Sequence, residues 1–298
     1  MRNVFWKLTK SQKIKGRLSN TIIYILLISL SFVYLAAFFY MLGHSIMSVD
    51  DWQNENVKWL PHHIVLENYK YAFRILNYEK TLLLSLGITL LATFGQVITC
   101  SFVGYGLARI KFKGSAVAFL IIIFTMIIPP QTIIVPQFLL ISKLGMVDTY
   151  LPIIVPCFFA MGLNGGMFIF IFKQFFKGMP SELENAALID GAGVFGAYFR
   201  IMLPNASSAV LVSSILSLVW QWNNAFEPSI YIRDSSKATL SLSLSNQLFQ
   251  NLAAQTNTEY NKGVVIASTV LIVLPVIVIF FIMQKRFMQS IETSGLAN

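Results

Sequence analysis

The chain has 298 residues, 56% of them hydrophobic and only 12% charged, whereas a soluble globular domain carries about 25% charged residues. That balance excludes a domain whose solvent is bulk water. The formal net charge of +9 raises nucleic acid as a partner, and the placement of the charges decides against it.

A basic arm over 1–20 opens the chain with Arg2, Lys7, Lys10, Lys13, Lys15 and Arg17, and the apolar run Thr21 to Gly43 follows. A hydrocarbon layer of about 30 Å takes roughly 20 helical residues. The run exceeds the roughly 7–15 residues of a cleavable signal core, so it reads as an anchor. The stretch 44–80 mixes Asp50, Asp51, Glu55, Lys58, Glu67, Lys70 and Arg74 with Trp52, Trp59, Tyr69, Tyr71 and Phe73. This is the composition of a membrane–water interface, with a binding role as the second reading. His44, His62 and His63 lack the partner spacing of a zinc site, so no metal is expected.

Five further apolar runs follow: Thr81 to Ala108, Ser115 to Leu140, Tyr150 to Phe172, Ala206 to Phe226 and Gly263 to Met283. Unbroken runs read as helices, because barrel strands alternate over about ten residues. The expectation is an all-α membrane protein with six transmembrane helices over 21–283 and a tail over 284–298. Pro129, Pro130 and Pro136 interrupt the third run, and Pro152 and Pro156 open the fourth. Each removes a backbone donor, predicting kinked or broken helices. Such breaks line solute paths in transporters, or they serve packing alone. Gly162 and Gly166, with Gly165 beside them, form a small-xxx-small pair for close helix approach. Cys100 and Cys157 fall inside spans and read as small core residues.

With the N-terminus inside, segments 1–20, 109–114, 173–205 and 284–298 carry 14 basic and 4 acidic residues, against 8 and 9 on the other side (44–80, 141–149 and 227–262). Lys and Arg are retained in the cytoplasm during insertion. Both termini are therefore expected there, in a multi-pass membrane protein.

The longest inside loop, 173–205, is the informative one. Ser181 is placed to cap a helix, with Glu184 reaching back to close a capping box. Gly191 is placed to end that helix in a left-handed turn. Leu183, Ala186 and Ala187 form a narrow stripe between them, flanked by Glu182, Glu184 and Asp190. A second helix over Val194 to Met202 gathers Phe195, Tyr198, Phe199 and Met202 on one face until Pro204 stops it. A short capped helix of small side chains suits another protein's groove; a connector lying on the membrane is the other reading.

Polar and aromatic residues in or near the spans are candidates for a solute path: Gln96, Gln131, Asn164, Trp220, Trp222, Asn223 and Asn224, with Glu227 at the boundary. Trp rings and asparagines suit a carbohydrate better than an ion. The other reading is an interfacial belt with capping asparagines.

Glu182-Leu183-Glu184-Asn185-Ala186-Ala187, Ile189-Asp190-Gly191-Ala192 and Ile201-Met202-Leu203-Pro204 together resemble the EAA loop of binding-protein-dependent ABC importer permeases. The likeness is to the carbohydrate-uptake group that includes the second permease subunit of maltose-type importers. Trp59-Leu60-Pro61, Glu67-Asn68-Tyr69, Gly104-Tyr105-Gly106-Leu107-Ala108-Arg109, Lys111-Phe112-Lys113-Gly114 and Trp222-Asn223-Asn224-Ala225-Phe226-Glu227-Pro228 extend it along the chain.

The resemblance implies a type I importer permease of the bacterial inner (plasma) membrane that alternates its access. It implies as partners a second homologous permease, two cytoplasmic ABC ATPases and an extracytoplasmic solute-binding protein, all in lipid. By position Glu184, Asn185, Ala186, Ala187, Asp190 and Gly191 inherit the role of the ATPase-docking coupling helix. Asn185 stands where the family usually has glutamate, replacing a charge-assisted contact by a weaker neutral one unless Glu184 substitutes. No GxxxxGK[ST] sequence is present, so the chain is expected to be non-catalytic and without cofactor, with ATP and Mg on the partner. An ion-gradient-driven secondary transporter is the alternative; it calls for ionisable relays in mid-span, and none occurs in any run.

Overall fold

The computed structural model describes the backbone of residues 2–54, 57, 59–189, 191–253 and 262–295. Helices dominate, with no strand among the described residues. The chain forms two compact units. One runs to Ala72 and takes in the last helix as far as Val270; the other begins at Phe73 and takes in that helix from Leu271.

In the first unit α1 (Arg2–Ser45) joins the basic arm to the first apolar run without a break. Its segment Asn20–Ser45 is long and apolar enough to cross a bilayer. Ile25, Ile28, Phe32 and Tyr34 are exposed around it, a surface that only an apolar medium covers. Its end is a polar knot. Ser48 caps α2 (Val49–Gln53), its hydroxyl accepting from the Asp51 N–H. Asn68, on α3 (Glu67–Ile75), donates to the carbonyls of Ser45 and Met47 at 3.0 and 2.9 Å. His62 Nδ1 donates to Asp51 Oδ1 at 2.8 Å, and this bond holds the Asp51 carboxyl below its ordinary range. Tyr40, His44, Trp52 and Trp59 ring a cavity of about 400 Å³ beside Asp51, which is how the aromatic and acidic residues of 44–80 come together. Glu55 and Lys58 lie outside the described residues.

The second unit is organised on α4 (Tyr78–Arg109), a 32-residue helix that follows the second run and is half buried inside the protein. The third run is α5 (Ser115–Ile127) and α6 (Pro130–Lys143), bent by 103° at the Pro129–Pro130 pair. Pro130 opens α6, where a missing N–H costs nothing, and Pro136 is carried inside it.

The fourth run is broken, as Pro152 and Pro156 predict. It divides into α7 (Leu151–Ile154), a 3₁₀ turn Val155–Phe159, and α8 (Gly165–Gly178). Pro152 and Pro156 start the short pieces, and left-handed Ala160 and Asn164 reverse the chain before α8.

α9 (Ser181–Ile189), α10 (Val194–Ala197), a π turn Tyr198–Met202 and α11 (Leu203–Asn205) follow; α12 (Ser207–Asn223) leaves at 77° to the segment Val194–Asn205. Pro204 does not stop the preceding helix. It lacks the N–H that Arg200's carbonyl needs in an α-helix, and the turn widens so that Leu203 N–H bonds Tyr198 O instead.

The segment 227–262, assigned from its charges to the outer side, carries α13 (Phe226–Tyr231) and α14 (Leu240–Ala253). Thr239 begins α14 as a cap whose hydroxyl accepts from Leu242 N–H. Asp148, with φ +60° between α6 and α7, clamps this segment. Its carboxylate accepts from the Arg233 and Asp234 N–H groups and from Lys237 Nζ at 2.6 Å. The Lys237 ammonium is the chief cause that lowers its pKa to about 2. α15 (Lys262–Gly295) runs beyond the sixth run at both ends, with Pro275 inside it.

One core joins Tyr105 and Cys100 of α4, Phe168, Phe172 and Phe176 of α8, Tyr198 and Met202 of the π turn and Ala209 of α12. Gly104 permits the α4–α8 contact, since a Cβ there would lie 2.6 Å from Phe172 Cβ. Gly166 meets α5 in the same way, 2.9 Å from Met126 Cγ, as the small-residue pair predicts.

Candidate functional site

The loop 173–205 folds against the end of α4. α9 starts at Ser181, but the expected capping box does not form, because Glu184 is engaged elsewhere. Tyr105 O–H donates to Glu184 Oε1 at 2.6 Å, and Arg109 Nε stands 3.7 Å from Glu184 Oε2. Arg109 Nη2 also donates to the carbonyl of Met179, just before α9. The Arg109 and Glu184 side chains are only 10% and 16% exposed, and a low-dielectric setting strengthens such a pair.

Gly191 sits at φ +84° and Ala192 N–H bonds the Ala187 carbonyl at 2.9 Å. This is the six-to-one closure of a left-handed cap, as expected for Gly191. Asn185, Ala186 and Gly191 are exposed, while Ala187 is turned inward at 2% exposure. Asp190 lies outside the described residues. Ile189, exposed at 85%, was not singled out from sequence; its spacing of three from Ala186 is the signal that would have found it. Tyr198 and Met202 are buried while Phe195 and Phe199 are exposed, so the expected face is covered on one edge, with the Phe195 and Tyr198 rings both meeting Phe102. Tyr198 also shares a hydrogen bond of 2.7 Å with Ser101 of α4.

Of the path candidates, Trp222 and Asn224 come together at one small cavity that Gln221 joins to Gln96, and the others lie apart from it. Gln96 is fully buried, donating to the carbonyl of Leu163 in the broken fourth run. Its Oε1 accepts from Gln221 Nε2 at 3.3 Å and from Ser217 Oγ at 3.4 Å. Trp222 is buried and donates to Ile272 O at 3.1 Å, while Asn224 accepts from Glu227 N–H and donates to Glu227 Oε2. Both line a small cavity with Gln221, Ser85 and Thr89. Trp220 packs on Phe168. Gln131, Asn164 and Asn223 are exposed elsewhere.

Gln221 and Ser217 link what sequence reading left separate. Thr81, Ser85, Thr89 and Thr93 on α4, and Ser213, Ser217 and Gln221 on α12, are all buried and recur every four residues. That period of small polar residues inside apolar runs is the signal that marks a helix–helix seam.

Residues 100–293 match the family described as binding-protein-dependent transport system inner membrane component. The chain is 32% identical over 232 residues to the arabinooligosaccharides transport system permease protein AraQ of Bacillus subtilis (strain 168), covering 77% of this chain and 78% of that protein. It is 28% identical over 281 residues to the polygalacturonan/rhamnogalacturonan transport system permease protein YtcP of the same organism, covering 92% and 96%. The probable starch degradation products transport system permease protein AmyC of Thermoanaerobacterium thermosulfurigenes is 29% identical over 242 residues, covering 79% and 82%. Among solved structures, a chain of a bacterial ABC transporter involved in the import of the acidic polysaccharide alginate shares the fold. Its TM-score is 0.73 at 24% identity, over 91% of this chain and 97% of that one.

Proposed function

Because the chain belongs to the family of binding-protein-dependent transport system inner membrane components, we propose that it is a permease subunit of an ATP-driven ABC importer for a carbohydrate. It supplies half of the solute pathway and works by alternating access. Six crossings are counted in this reading: α1, α4, α5 with α6, the broken segment from α7 through α8, α12, and α15. Both termini and the loop 173–205 face the cytoplasm.

One observation carries the reading. α9 is a nine-residue helix with Glu184 and Ala187 bound inward and Asn185, Ala186 and Ile189 left outward. A helix closed at Gly191 and bare on one side is suited to a groove of a cytoplasmic ATPase. Glu184 is taken up inside the chain, so Asn185 holds the outward place usually filled by glutamate and offers a neutral hydrogen bond. ATP and Mg are the ATPase's ligands. A second homologous permease completes the cavity and an extracytoplasmic binding protein delivers the solute.

Two measurements test this. Ala186→Cys is expected to crosslink to the ATPase subunit in the assembled complex; crosslinks to lipid alone overturn the docking role. Proteoliposomes holding the complex and its binding protein are expected to take up at least one member of a panel of labelled oligosaccharides only with ATP inside. Uptake driven by an ion gradient without ATP overturns the importer reading.

A further inference from the structure

We propose that Glu184 is a positioning residue that carries movement of α9 into α4, through Tyr105 and Arg109, and along α4 to the Gln96 seam. The inference rests on α9 being the ATPase-docking helix.

The loop is tied to α4 at both of its ends. Arg109 holds the Met179 carbonyl and approaches Glu184, Tyr105 holds Glu184, and Ser101 holds Tyr198. Tyr105 is 1% exposed and Tyr198 is fully buried, their rings 5.1 Å apart. Water therefore has no access to the Tyr105 and Tyr198 rings, and little to Arg109 and Glu184, whose side chains are 10% and 16% exposed. α4 continues from them as one helix without proline, and the 13 residues from Arg109 to Gln96 span about 20 Å at 1.5 Å each. At Gln96 the helix is bonded both to Leu163 and to Ser217 and Gln221 of α12. A stiff rod fastened to the loop at one end and to two other segments at the other transmits displacement.

The link is also incomplete, which is what a moving part requires. Arg109 Nε is buried without a hydrogen-bond partner among the described residues, and Glu184 Oε2 is 3.7 Å away. An N–H···O bond closes at about 2.9 Å, so a shift of roughly 1 Å of α9 toward α4 completes it. Buried donors are rarely left unpaired; here the missing acceptor is the group that such a shift delivers.

The test uses the complex purified with its ATPase subunits and carrying Asn223→Cys, an exposed position at the end of α12. Its rate of labelling by a hydrophilic maleimide is compared with ATP and with ATP plus vanadate. The parent is expected to change several-fold; no change overturns the proposal. In Arg109→Gln the change is expected to shrink about tenfold, the scale of one hydrogen bond to a charged group, while ATP hydrolysis continues. An undiminished change, or hydrolysis lost in proportion, overturns it by reducing the contact to packing.

Tyr105→Phe, a milder variant, is expected to shrink the change about fivefold, and an undiminished change there also overturns the proposal. Arg109→Glu with Glu184→Arg is expected to recover most of the response if Arg109→Glu alone loses it; no recovery in an assembled complex counts against the pair. The Ala186→Cys crosslink separates the two ideas. A crosslink with an undiminished response in Arg109→Gln removes this inference alone, and no crosslink removes the docking on which it rests.

Discussion

The hydroxyl of Tyr78 donates to the carbonyl of Leu271 at 2.8 Å, the carbonyl that Pro275, four residues later in α15, leaves without its helical N–H. A proline deep in an apolar helix is tolerated when a neighbour re-satisfies the freed backbone group, and the first residue of α4 does so here. Tyr78→Phe is therefore expected to cost about 1–3 kcal/mol, the penalty of an unpaired buried acceptor. Thermal unfolding of the purified protein in detergent checks it; an unchanged midpoint would show that another group reaches Leu271.

Gly191 adopts φ +84° with open space where a Cβ would stand, so any penalty there is conformational. Gly191→Val is expected to strain the cap of α9 by about 1–2 kcal/mol, leaving membrane insertion intact while uptake coupled to ATP falls. Gly191→Asn, which tolerates the left-handed region, is expected to retain most uptake. Wild-type uptake by the valine variant removes Gly191 from the coupling role.

Gly104 and Gly106, two residues apart in α4, lie on opposite sides of the helix. A Cβ on Gly104 meets Phe172 Cβ at 2.6 Å and Lys173 N at 2.9 Å, whereas one on Gly106 meets nothing within 4 Å. Gly104→Ala is expected to destabilise by about 1–3 kcal/mol through overpacking. Gly106→Ala is expected to be neutral or to stabilise by about 0.5–1 kcal/mol through helix entropy. Melting midpoints of the two variants in parallel decide the matter, and equal effects would contradict the close α4–α8 contact.

The Asp148 clamp has a defined pH window. Its carboxyl is held down from 3.8 to about 2, chiefly by Lys237, and Lys237 is raised from 10.5, chiefly by Asp148. A depressed acid contributes fully above its unfolded value and loses that contribution as pH falls through the folded one; a raised base loses it as pH climbs through its folded value. The amide protection of Arg233 and Asp234, whose N–H groups bond Asp148, is thus expected to hold from about pH 4 to 10 and to fall toward pH 2. Hydrogen exchange read as protection factors follows it, and Asp148→Asn is expected to lower protection at neutral pH as well.

What was legible in the sequence follows the range of the forces involved. Pro129 and Pro130 act on their own turn, and the 103° bend sits where they stand. Gly191 likewise acts locally and took its expected conformation. The capping box of Ser181 and Glu184 is not found because Ser181 is three residues away in sequence while Tyr105 and Arg109, the partners Glu184 takes, lie on a different helix. Local spacing does not encode that competition, in which a buried charged pair outweighs a surface cap. Of the face formed by Phe195, Tyr198, Phe199 and Met202 only the Tyr198–Met202 edge is buried, because a 3.6-residue period marks a face and not how much of it the core reaches. The Gln96–Gln221 seam was half visible: Gln96 stood out as polar, but the four-residue recurrence of Ser and Thr around it has meaning only once α4 and α12 are known to face each other.

α1 is exposed along most of Ile22 to Phe39, with large apolar side chains on all its sides. Its rotational setting is inherited from one end, where Asn68 grips the carbonyls of Ser45 and Met47 and Tyr69 meets the Ser45 hydroxyl. Within its unit α1 is thus fastened by hydrogen bonds at its last turn, and the apolar medium is what meets the rest of its length.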